Sequence, residues 1–153
     1  MATITLYGVS VQDKKDTGKV EHYPEAAGQS FKKGEFVYLV SGKVTACGSD
    51  ATLIAGVSLQ DASGVADTLI AIEIAEPGTT FEVNVTTTTS VAIVGGQYGL
   101  YVASNKHQVD LGDTTNKRFV IRALSKKDAV GDTYGRVIVE VLGVNCQLSG
   151  IAG

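Results

Sequence analysis

The chain has 153 residues, 13 Lys plus Arg against 16 Asp plus Glu, and a net charge of -3 with no long run of either sign. A length near one average domain is enough to bury a core, so neither a disulfide nor a metal is required for stability. The lysines are scattered or paired with acids, as in Asp13-Lys14-Lys15-Asp16. This excludes the basic stripe that phosphate backbones demand, and no nucleic-acid partner is expected.

Residues 1–10, Met-Ala-Thr-Ile-Thr-Leu-Tyr-Gly-Val-Ser, hold no basic region followed by an apolar one, and no apolar run nears the ~20 residues of a membrane span. The expectation is therefore a protein with no membrane partner, placed in a cytoplasm or in a particle assembled there. Residues 1–27 read as an extended N-terminal arm, polar around Asp13, Lys14, Lys15, Asp16, Lys19, Glu21 and Glu25. Tyr7 and Tyr23 lie in this polar setting and are candidate interface anchors, because Tyr supplies contact area with few rotatable bonds.

From residue 28 to 153 a single β-barrel domain is expected. The runs 36–40, 44–47, 53–57, 81–85, 118–121 and 136–141 are short, rich in β-branched and aromatic residues, and bounded by Gly, Asp, Ser or Asn. Phe81, Val83 and Val85 alternate with Glu82 and Asn84, and Ile70, Ile72 and Ile74 alternate likewise, which assigns one core face and one solvent face. Short helical turns are compatible only with 62–65, 91–95 and 125–129. With 18 glycines for turns, the fold class is all-β, an antiparallel β-barrel or sandwich.

Hairpin tips are expected at Ser41-Gly42 and Asn105-Lys106. These tips belong to two segments that resemble each other, 36–43 and 99–106. A second likeness links Asp61-Ala62-Ser63-Gly64 and the strand after it to Asp128-Ala129-Val130-Gly131 and its strand. Either two similar halves of one barrel or shared turn chemistry produces this pattern.

No catalytic constellation is found. His22 and His107 read as exposed or rim residues, no serine lies in a GxSxG elbow, and no phosphate-binding glycine loop occurs. The oxygen-rich loop Asp110-Leu111-Gly112-Asp113-Thr114-Thr115-Asn116 lacks the EF-hand order and reads as Asx turns rather than a metal site. Cys47 and Cys146 read as buried thiols, although a disulfide between them stays open. Tyr38, Tyr98, Tyr101 and Phe119 read as core, and Thr86-Thr87-Thr88-Thr89-Ser90 as a hydrated connection. No cofactor and no enzymatic activity are expected.

The segment Gly-Gln-Ser-Phe-Lys-Lys-Gly-Glu-Phe-Val-Tyr-Leu-Val-Ser-Gly-Lys-Val (28–44), the strand Ile54-Ala55-Gly56-Val57 and Gly-Gln-Tyr-Gly-Leu-Tyr-Val (96–102) resemble small β-barrel head decoration, or cement, proteins of tailed bacteriophages. The resemblance covers most of residues 28–142. It implies a structural virion protein on the capsid surface, with the major capsid protein and itself, as a homotrimer, for partners. An extended terminal segment would engage a neighbour, making Leu6, Tyr7 and Val9 contact residues. Two alternatives remain: a tail or baseplate β module, and a carbohydrate-binding module, which would need exposed aromatics around a concave sheet face.

Overall fold

The computed structural model describes residues 2–13 and 19–150. Among these the chain forms eleven strands: β1 (Ser10–Asp13), β2 (Val20–Pro24), β3 (Phe36–Val40), β4 (Lys43–Ala46), β5 (Gly56–Ser58), β6 (Leu69–Ile74), β7 (Thr80–Val85), β8 (Gln97–Ala103), β9 (Lys106–Asp110), β10 (Phe119–Leu124) and β11 (Arg136–Val141). Single 3₁₀ turns lie at Val91–Ile93, inside an expected turn, and at Gly143–Asn145, where no helical turn is expected. The class is all-β, as the alternation predicts.

Strands β7-β11-β10-β8-β9 form a five-stranded barrel, closed where β9 runs parallel to β7 through Asn84↔Gln108 and Val85↔Val109. A second sheet has the order β2-β6-β5-β3-β4, and a parallel bridge between Glu25 and Val44 links its two ends. Position by position the two orders are the same. Each unit has a first strand, a hairpin, then two strands that fill the space between, and each is joined end to end by a parallel contact.

The repeated segments of the sequence therefore correspond to two five-stranded units rather than to two halves of one barrel. The expected boundary after residue 27 falls inside the first unit, because β2 pairs with β6 from Val20↔Glu73 to Pro24↔Leu69. Both hairpins turn on two residues of positive φ, Ser41 (49°) and Gly42 (77°) in one, Ser104 (46°) and Asn105 (62°) in the other. That backbone matches the twist of the flanking strands. It places the second tip one residue earlier than expected, with Ala103 paired to Lys106.

The units share their interior. Phe36 of β3 meets Phe81 of β7 edge-on at 5.9 Å and Phe119 of β10 at 5.2 Å, all three fully buried. Burying each such ring contributes about 1.5–3 kcal/mol. The next residue on β3, Val37, points the other way, into a second core with Phe31, Val44, Ile70, Ile72 and Ile74. Strand β3 thus feeds both cores through its alternate faces.

β1 joins the barrel from outside. β11 pairs with β7 along residues 80–84, so β1 and β9 share the opposite edge of β7, β1 beside residues 80–82 and β9 beside 84–85. The N-terminal segment thereby fills the gap where β9 leaves the barrel wall.

Candidate interaction surface on the barrel

Inward-facing Phe81, Val83, Val85, Leu100, Val109, Val137 and Val139 leave the alternate positions on the outer face of the barrel. One cross-strand row there reads Tyr101 on β8, Gln108 on β9, Asn84 on β7 and Arg136 on β11. The sequence assigns Asn84 to solvent, yet it is 1% exposed, and Gln108 is 5% exposed.

The cover over Asn84 is the N-terminal segment. Tyr7 N–H donates to Asn84 Oδ1 at 3.0 Å, and Asn84 Nδ2 donates to the carbonyls of Thr5 at 3.1 Å and Tyr134 at 2.6 Å. Two carbonyl partners fix which end of the amide is nitrogen. Further along, Ile4 N–H donates to Thr133 O and Thr133 N–H to Ala2 O, both at 2.8 Å, in a parallel bridge.

At the end of the row, Arg136 lies 4.4 Å from the centre of the Tyr7 ring, a cation–π stack on a partly exposed face. Asp128 fixes that guanidinium with two bonds, Nε to Oδ2 at 2.8 Å and a terminal nitrogen to Oδ1 at 2.6 Å. The Arg136 bonds hold the Asp128 carboxyl below its ordinary value against the opposing effect of burial.

The expected contact residues separate in space. Tyr7 is 48% exposed and Leu6 is half-buried. Val9 is 5% exposed and belongs to the barrel core, with its N–H donating to Gly34 O at 2.7 Å, so it anchors the segment instead of facing a partner. Tyr23 is on the other unit, half-buried against the second core with its hydroxyl bonded to the Glu21 carboxylate. That hydrogen bond, with burial and the Glu21 charge, pushes the phenol up to about 12.

Three other expectations change. His107 is buried and faces Glu35, where the sequence suggests a rim position. Tyr101 is 42% exposed, because its place on β8 is an outer-face one. The threonine run is ordered by bonds rather than merely hydrated: Thr86 Oγ1 accepts from Leu111 N–H at 3.1 Å and Thr89 Oγ1 from Gly131 N–H at 3.0 Å.

The 110–116 loop holds the expected Asx turns. Asp110 Oδ1 accepts from Gly112 N–H at 3.0 Å, and Asp113 Oδ1 accepts from Thr115 at 3.0 Å and Asn116 at 2.9 Å. These bonds, led by Asn116 N–H, lower the Asp113 carboxyl to about 2, while burial and the facing Asp113 raise that of Asp50.

Sequence reasoning missed Asn84 and Asp128. Neither stands in a motif, and the one signal for Asn84 is an amide at an alternating position whose cover comes from a segment 77 residues away. In comparisons with known proteins, no family model, no curated protein and no solved structure matches the chain.

Proposed function

We propose that the chain is a structural virion protein that binds the outer surface of a phage capsid and stabilises the shell, with the major capsid protein as partner and a homotrimer as its working form. The observation that carries this reading is the N-terminal segment. Residues 2–8 run extended over the barrel exterior, held mainly by main-chain and Asn84 hydrogen bonds, and they present the Tyr7 ring to solvent. A segment attached in this way exchanges its intramolecular bonds for equivalent ones on a neighbour at small cost. The resemblance of residues 28–44 and 96–102 to head decoration proteins supplies the neighbour.

A subunit that binds only the assembled shell raises the shell's stability by mass action, and several linked contacts multiply the effect. The test is co-sedimentation of the purified protein with undecorated capsids, together with its solution mass by light scattering. The expected result is saturable binding by a species near three chains, weakened about tenfold or more when residues 2–8 are removed. Absence of binding to any undecorated capsid overturns the proposal. The shortened chain keeps Val9 and β1, and its thermal unfolding midpoint, measured beside the binding, separates loss of the contact segment from damage to the core.

A further inference from the structure

We infer that the cleft beside Tyr101 and Tyr134 is a binding site for a neutral carbohydrate. The cleft has a volume of ≈ 370 Å³ and is lined by Thr86, Thr87, Tyr101, Gln108, Asp110 and Tyr134. That size lies within the range of small-molecule sites and suits one or two sugar rings.

The aromatic walls are set by the fold. Tyr101 is directly opposite Gln108 across β8 and β9, on the outer face, and is 42% exposed. Tyr134 has φ +58°, a left-handed backbone that an aromatic residue rarely adopts. Its N–H donates to Thr87 O at 2.6 Å and its carbonyl accepts from Asn84 Nδ2 at 2.6 Å, so the peptide is locked on both sides. Strained and over-determined residues of this kind collect at ligand sites. Two tyrosines offer apolar faces for the C–H side of a sugar and hydroxyls at the rim.

The polar groups are partly committed and partly free, in a combination that fits vicinal hydroxyls. Gln108 spends its Nε2 on Val85 O at 2.9 Å, and among the described residues nothing donates to its Oε1. Thr86 Oγ1 accepts from Leu111 N–H and retains its own O–H to donate. Asp110 Oδ1 accepts from Gly112 N–H at 3.0 Å, leaving Oδ2 as an acceptor. The internal bonds hold each group still, which lowers the cost of ordering on binding.

Charge selects within the class. The lining holds Asp110 and no Lys or Arg, so a sialylated or sulfated glycan meets a carboxylate with no cation to offset it. A neutral polyol has donors for the free acceptors of Asp110 and Gln108 and incurs no such repulsion.

The site is independent of the capsid reading, since it uses none of residues 2–8. The full chain, fluorescently labelled, is applied to a glycan array carrying neutral hexose and N-acetylhexosamine glycans beside their sialylated and sulfated counterparts. Binding to a subset of the neutral glycans is expected, about tenfold weaker for Tyr101→Ala at an unchanged thermal unfolding midpoint. Asp110→Asn narrows the difference between neutral and acidic glycans. A blank array, preference for the acidic glycans, or binding unaffected by Tyr101→Ala overturns the inference.

Discussion

Glu35 Oε1 and His107 Nε2 lie 3.1 Å apart, with side chains 4% and 0% exposed, where the first unit meets the hairpin of the second. Phe36 N–H donates to the other ring nitrogen of His107 at 3.3 Å, which assigns the proton to Nε2 and makes it the donor to Glu35. The same carboxylate accepts from Lys32 N–H at 2.5 Å and Asn105 Nδ2 at 2.8 Å. One buried acid thus ties β3, the turn before it and the β8–β9 tip into one network.

Glu35 should make stability depend on acid. Burial alone would raise its pKa, but the bonds from His107, Lys32 and Asn105 outweigh burial and hold it below the ordinary 4.5. A depressed carboxyl contributes its full stability above the ordinary value, and the contribution disappears as pH falls through the folded-state value. Urea unfolding of Glu35→Gln at pH 7 is expected to show a loss of about 1–3 kcal/mol. Below pH 4.5 the gap between the variant and the natural protein should close; a gap constant with pH would show that the charge of Glu35 contributes nothing.

Local signals made the strands legible and left the long-range arrangement unread. The alternation in 136–141 gives β11 to the residue, and the positive-φ chemistry of Ser41-Gly42 gives the first hairpin. Strand β1 was not legible, since Ser10–Asp13 has little apolar pattern and pairs only because β7 offers a free edge there. For the same reason Glu82 and Asn84 looked solvent-facing. Period-2 alternation tells the two faces of a strand apart, but a segment from elsewhere in the chain decides whether the outer one is covered. His107 looked like a rim residue because it follows a turn, and its partner Glu35 is 72 residues away.

The thiols should be inert in the folded protein. Cys47 and Cys146 are free, 2% and 3% exposed, and both belong to the shared core. Burial raises the Cys47 pKa, and burial with the Glu140 and Glu76 charges pushes Cys146 up to about 12, so almost no thiolate exists near neutral pH. Labelling by a disulfide reagent at pH 8 is expected to run at least about a hundred-fold slower than for free cysteine. Both thiols should react once urea unfolds the chain. Rapid labelling of either one under native conditions would contradict this packing.

Two glycines should respond oppositely to Ala. A Cβ on Gly56 would stand 2.0 Å from the Glu73 carbonyl oxygen, a backbone atom of the paired strand β6 that cannot swing aside. Gly56→Ala is expected to lose more than about 3 kcal/mol, enough to lower the yield of folded protein sharply. Gly48 has open space where a Cβ would lie and does not occupy the left-handed region. Gly48→Ala should be neutral or stabilising by up to about 1 kcal/mol, because it restricts only the unfolded chain. Thermal unfolding midpoints measure both.

Asn84 should control whether the N-terminal segment stays on the barrel. Its amide makes three hydrogen bonds, two of them to residues 5–7 and one to Tyr134, in a nearly solvent-free position. Asn84→Ala leaves the Tyr7 N–H and two carbonyls without that partner, at a cost of about 1–3 kcal/mol. Tyr7→Ala keeps the main-chain bond and loses only the stack on Arg136, worth about 0.5–1 kcal/mol. Hydrogen exchange at the Ile4 and Tyr7 amides should therefore quicken strongly in Asn84→Ala and weakly in Tyr7→Ala, while core amides such as Val139 keep their protection. Equal loss of protection at Val139 would mean that Asn84 supports the barrel wall itself, and the segment would then have to be treated as part of the wall rather than as a detachable strap.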